Sequence, residues 1–142
     1  MLIFYGIPFS KLRMGLLSKD GLNFGVDPDY MTNDWYEVEW LPGACILLNS
    51  VHLVKKNYFF TNGKAYCEDI ILSYLFKKKK LQLFVFKNCK IFTEGQKKIR
   101  RNEDINLYFS GLRNYYRIQN KELNAFFYFR RVYFYFASFF KL

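Results

Sequence analysis

"AYCEDIILSYLFKKKK" (65–80) runs straight into "LQLFVF" (81–86), and the reading of this junction decides the fold. At 100° per residue, Tyr66, Cys67, Ile70, Ile71, Tyr74 and Leu75 share one face, which predicts an amphipathic helix docked on a sheet. Lys77, Lys78, Lys79 and Lys80 close that helix, where its dipole favours cations. LQLFVF alternates in part and predicts a strand. A helix delivering the chain into a strand points to an α/β fold. The same stretch poses a chemical question, because Glu68 and Asp69 stand side by side at the helix head of a chain with net charge +10. Carboxylates in a first turn are stabilised by roughly 0.3–1 kcal/mol each, so helix capping is one reading. A general base and a metal ligand are the others.

Upstream, "GACILLN" (43–49) is a continuous apolar run entered through Pro42 and predicts a buried strand. Ser50 is placed to cap a short helix over "VHLVKK" (51–56). Asn62-Gly63 marks a turn. Residues 1–36, rich in Gly, Asp, Asn and Pro, predict loop with at most a helical turn near 10–17. So long a loop is rare in a compact fold, which leads us to expect a missing part upstream. Downstream, "CKIFTE" (89–94) predicts another strand, and a helical pattern runs from Asn102 through Gln119. The expected organisation is an irregular segment 1–36, a main α/β part 37–119 and a tail helix 120–142.

Hydrophobic residues make up 51% and aromatics 22%, which excludes wholesale disorder. An AT-rich genome encodes the same Phe, Tyr, Lys, Asn and Ile bias, so aromatic richness alone signals no function. The charge favours anionic partners: nucleic acid, anionic lipid or phosphorylated small molecules. Cys45, Cys67 and Cys89 form no CxxC pair, which argues for reduced thiols in the cytoplasm rather than a disulfide frame or zinc site. The only histidine, His52, has no visible link to them. No basic leader opens the chain, and no apolar run reaches the ~18 residues a spanning helix needs.

In order along the chain, "EVEWLPGACILL" (37–48), the Glu68-Asp69 pair, the lysine-rich helix end and "LQLFVFKNCKIFTEG" (81–95) resemble the family 2 glycosyltransferases, in the rhamnosyltransferase-like branch. "FSGLRNYYRIQN" (109–120) adds a weaker match. The resemblance implies the acceptor-side, C-terminal part of a GT-A-like mixed sheet flanked by helices. It implies Asp69 as the general base that takes the acceptor hydroxyl proton. It places Glu68, Trp40, Gly43 and Ala44 around the acceptor. Burial beside apolar walls and a second carboxylate would raise the Asp69 pKa. Trp40 would pack on a sugar ring, or serve as an ordinary core tryptophan.

The chain departs from the family at four places. Glu39 stands where Asp is common, and Pro42 where Ser or Thr often precedes Gly-Ala. Ile71 replaces a second acid. "IFTEG" (91–95) lacks the histidine expected beside the diphosphate and metal. A complete enzyme would use a divalent metal, Mg or Mn, with its nucleotide-sugar, held by an Asp-x-Asp motif. Asp27 and Asp29 have that spacing, but Pro28 between them reads as a turn, so no metal site is expected in this chain. The expected partners are a nucleotide-sugar donor, a glycan or lipid-linked acceptor, and a separate donor-binding chain.

The tail "AFFYFRRVYFYFASFF" (125–140) is aromatic with central arginines. It suits peripheral contact on the inner face of the cytoplasmic membrane, or packing against a missing half or an oligomer partner. Lys97, Lys98, Arg100 and Arg101 would grip phosphate or membrane, or form a solvated loop. The competing function is a noncatalytic basic module for anionic membrane or nucleic acid. No aromatic RNP motif or GXXG loop favours nucleic acid.

Overall fold

The computed structural model describes residues 14–42, 45–53, 66–89 and 102–139. They form two units. One holds 14–42, 45–53 and 69–89, and the other holds 66–68 and 102–139. Secondary structure is mixed α and β, with three α-helices and one small sheet.

In the first unit, strand β1 (Trp35–Val38) pairs antiparallel with β2 (Leu83–Phe86). Trp35 lies opposite Phe86 and Val38 opposite Leu83. Side chains alternate across a strand, so Val38 and Leu83 turn into the core while Trp35 stays half exposed. On the outer face Trp35 meets Phe84 edge to face, with ring centroids 5.1 Å apart. Helix α1 (Glu68–Lys78) supplies Phe76, which joins Val38 and Leu83 in one buried cluster. Val26, Tyr36, Leu41, Leu48, Leu72, Leu81 and Val85 pack around it.

The helix reading of 65–80 holds for Glu68–Lys78. Ile70 and Ile71 are buried as its apolar face requires, but Ser73 and Phe76 are buried as well. Lys80 ends the helix in the left-handed region at φ 61°. Its N–H donates to the Lys77 carbonyl, and the Leu81 N–H donates to the Phe76 carbonyl. This pair of bonds satisfies the last free carbonyls and turns the chain toward β2.

Several expectations are corrected. Residues 45–49 form no strand, and Leu47 is fully exposed. Continuous apolarity there reflects no buried sheet position. The sheet among the described residues is purely antiparallel rather than mixed. The turn at Ser50–His52 is a 3-10 helix capped by Asn49, whose side chain accepts from the Val51 N–H. Ser50 is its first residue rather than its cap. Cys89 lies in no strand, while 90–94, 54–65 and 43–44 fall outside the described residues.

Residues 14–25 contain no helical turn, and 10–13, the rest of the stretch where one is expected, fall outside the described residues. They fold as a small hairpin with Leu17 bridged to Asn23. The Ser18 hydroxyl accepts from the Asp20 and Leu22 N–H groups, and Gly21 takes φ 73° at the turn. The Glu39 N–H donates to the Gly15 carbonyl at 2.7 Å and ties this hairpin to the end of β1.

The second unit is a helical hairpin. α2 (Asn102–Ile118) and α3 (Ala125–Phe139) pack through aromatic side chains. The Phe109 ring meets Phe127 and Phe134 edge to face, and Tyr108 stacks on Phe134. Leu112, Tyr115, Tyr116 and Phe127 are almost fully buried. Asn120 closes α2 with the same left-handed cap as Lys80, at φ 55°. Asn124 starts α3 by accepting from the Phe127 N–H. Arg130 is buried in this hairpin, bonded to the Tyr108 hydroxyl, with its guanidinium 5.6 Å from the Phe126 ring centre. No helix of the described residues is long and apolar enough to cross a membrane.

Candidate functional site

Asp69 is half-buried in the first turn of α1. Its carboxylate accepts the Ile70 N–H at 2.8 Å, one of the donors a helix start leaves free. Burial pushes its pKa above the ordinary carboxylate range, and the Ile70 hydrogen bond offsets only part of this. Glu68 is half-buried and opens the helix; Asp69 follows it where the chain passes from the second unit into the first. Just before them, Cys67 takes φ 64°, and its thiol donates to the Tyr108 carbonyl at 3.8 Å.

Ser73 organises the ground beneath Asp69. It is almost fully buried, so its hydroxyl needs partners. It accepts the Leu41 N–H at 2.9 Å and donates to the Asp69 carbonyl at 2.7 Å. One turn further on, Lys77 pairs with Glu39 at 2.8 Å. Contacts from Glu39 to Lys77 and from Leu41 to Ser73 mean that this segment runs antiparallel to α1, toward Asp69. Ser73→Ala is expected to cost about 1–3 kcal/mol, since it orphans the Leu41 N–H. Urea unfolding measures it.

Trp40 sits inside this segment, half-buried, and its indole N–H donates to the Phe24 carbonyl at 3.0 Å. That bond anchors it to the N-terminal hairpin. Glu39 forms an ion pair with Lys77 and accepts the Leu17 N–H. Burial pushes its pKa up, but hydrogen bonds from Lys77 and the Leu17 N–H outweigh this and hold it below the ordinary value. Ile71, at the second-acid position, is fully buried.

The structure therefore brings the Trp40 segment and Asp69 together through Ser73. Gly43, Ala44, Lys97, Lys98, Arg100 and Arg101 lie outside the described residues, as does 91–95. Asp27 accepts the Asp29 N–H at the 3-10 turn Pro28–Tyr30, as a turn reading requires. Among the described residues no three His, Cys, Asp or Glu side chains converge on a metal position. His52 ends its 3-10 turn, and its carbonyl accepts from Lys79.

Ser73 was not singled out by sequence, and Lys77 only as part of the basic helix end, not as the partner of Glu39. A lone serine four residues after Asp69, inside an apolar run, is the signal that marks a buried polar link. Against models of known protein families, curated proteins and solved structures, the chain finds no match.

Proposed function

We propose that this chain supplies the acceptor side of an inverting glycosyltransferase of the family 2 type, with a GT-A-like arrangement and Asp69 as general base. The observation that carries the reading is the Ser73 link. It joins the Trp40 segment to the first turn of the helix that bears a half-buried carboxylate of raised pKa. In this reading the acceptor hydroxyl oxygen attacks the anomeric carbon of a nucleotide-sugar. The bond to the diphosphate breaks, the nucleoside diphosphate leaves, and Asp69 takes the hydroxyl proton. Glu68 hydrogen-bonds the acceptor. Among the described residues no three His, Cys, Asp or Glu side chains converge on a metal position. The metal and the sugar diphosphate are thus assigned to no described residue.

The test is release of nucleoside diphosphate from a panel of nucleotide-sugars with Mg or Mn. The full chain is assayed alone and with the product of the reading frame upstream. Asp69→Asn is expected to reduce transfer by about 10²–10⁴-fold. Folding should survive, because an asparagine oxygen can still accept the Ile70 N–H. A raised pKa means that the native state holds the proton more tightly than the unfolded chain. Stability from this group is present at acid pH and is lost as pH rises from the ordinary carboxylate value through the raised one. Asp69→Asn should therefore match or exceed the parent stability at pH 7 and lose that advantage in acid. Full transfer by Asp69→Asn, or none with any donor in either setting, overturns the proposal.

A further inference from the structure

Helix α3 is apolar on two sides. Its inner side carries Phe127, Arg130, Phe134 and Ala137 toward α2. Its outer side presents Tyr128, Phe129, Val132 and Phe136, which remain 53%, 59%, 54% and 60% exposed. At 100° per residue these four fall within one stripe about 100° wide. A soluble hairpin would place polar residues there.

The surroundings of the stripe are basic. Glu103, Asn106, Ser110, Arg113 and Arg117 form the exposed face of α2, with the acid in its first turn and both arginines in its second half. The Tyr135 hydroxyl donates to the Asn106 side chain, so this face adjoins the edge of the α3 stripe. Arg131 stands half-exposed on that same edge. Cations thus border an aromatic band on a chain of net charge +10.

We propose that the α2–α3 hairpin docks on an anionic lipid surface, with α3 lying in the plane of the bilayer interface. Tyr128, Phe129, Val132 and Phe136 enter the headgroup–acyl boundary. Arg113, Arg117 and Arg131 contact lipid phosphates. Aromatic rings favour this boundary, and basic side chains beside an apolar stripe are the mark of helices that lie on membranes. A second copy of the chain is the weaker occupant. Four side chains about half exposed offer roughly 400 Å² of apolar surface, about half of the ~800 Å² per partner that a standard interface buries. Like-charged arginines beside the stripe would also meet across such a dimer. The inference is independent of the transferase reading.

Vesicle flotation of the full chain tests it, with phosphatidylcholine vesicles made with and without phosphatidylglycerol. Binding is expected to the anionic vesicles and to weaken with added salt. Arg113→Ala with Arg117→Ala should weaken it by roughly fivefold per arginine. Phe129→Ser with Phe136→Ser should abolish flotation while far-UV circular dichroism is unchanged, since both side chains are exposed. In Phe129→Trp, emission above that of Trp35 and Trp40 should be quenched by brominated lipid. Flotation unaffected by the serine changes overturns the proposal. So does absence of flotation with a concentration-dependent dimer that those same changes dissolve.

Discussion

Gly111→Ala is expected to destabilise the helical unit by about 2–4 kcal/mol, although alanine is the better helix former. A β-carbon at Gly111 would lie 2.2 Å from the Tyr66 carbonyl oxygen and 2.9 Å from its carbon. These are backbone atoms, and the strap that carries them is held at several points. The Tyr66 hydroxyl donates to Asp104 at 2.8 Å, and its ring meets Tyr108 edge to face. The Cys67 thiol bonds the Tyr108 carbonyl. Relief would require releasing those contacts together. The propensity gain of Ala over Gly is only about 0.8–1 kcal/mol, so the steric effect decides the sign. Against a total stability of about 5–15 kcal/mol, such a loss is large. Urea denaturation read by far-UV circular dichroism measures it. A midpoint at or above that of the parent would mean that residues 66–67 are not held against α2.

Gly15→Ala is expected to cost about 2–4 kcal/mol in the other unit. Two effects add there. Gly15 takes φ 74°, a region that costs an L-residue about 1–2 kcal/mol. Its β-carbon would also meet Val38 Cγ1 at 2.6 Å and Val38 Cβ at 3.0 Å. Val38 is only 5% exposed and belongs to the central cluster, so it has little room to yield. Gly15→Asn separates the two effects, since asparagine tolerates the left-handed region while keeping the clash. Equal losses from both substitutions would assign the cost to Val38. A smaller loss with Asn would assign part of it to the backbone.

These two glycines also mark what the sequence conceals. The three helices were legible, because periodic apolar faces and the aromatic run state themselves locally. So was β2, a short alternating run. β1 was not: "WYEV" is brief, and its partner lies beyond α1. Apolarity misled at 45–49, where a continuous run carries no sheet hydrogen bonds. The Asp20-Gly21 turn signal was present, but the apolar flanks of that hairpin are too short to read as strands. At the candidate site, the half-burial of Asp69 could be expected from its apolar neighbours. The Ser73 link could not, because it joins residues distant in sequence and depends on how the segment after β1 lies along α1. Nothing local at Gly111 reveals that a strap of backbone crosses it.

The pairing of β1 with β2 across the whole of α1 has a consequence during synthesis. The ribosome delivers Trp35–Val38 well before Leu83–Phe86 exists. Until then β1 is an edge with open hydrogen-bonding groups beside an apolar Val38 and Trp40. A nascent chain in that condition is a substrate for chaperones and a seed for misassembly. Completion of β2 closes that window, so a ribosomal pause inside α1 would lengthen it and lower the yield of folded protein.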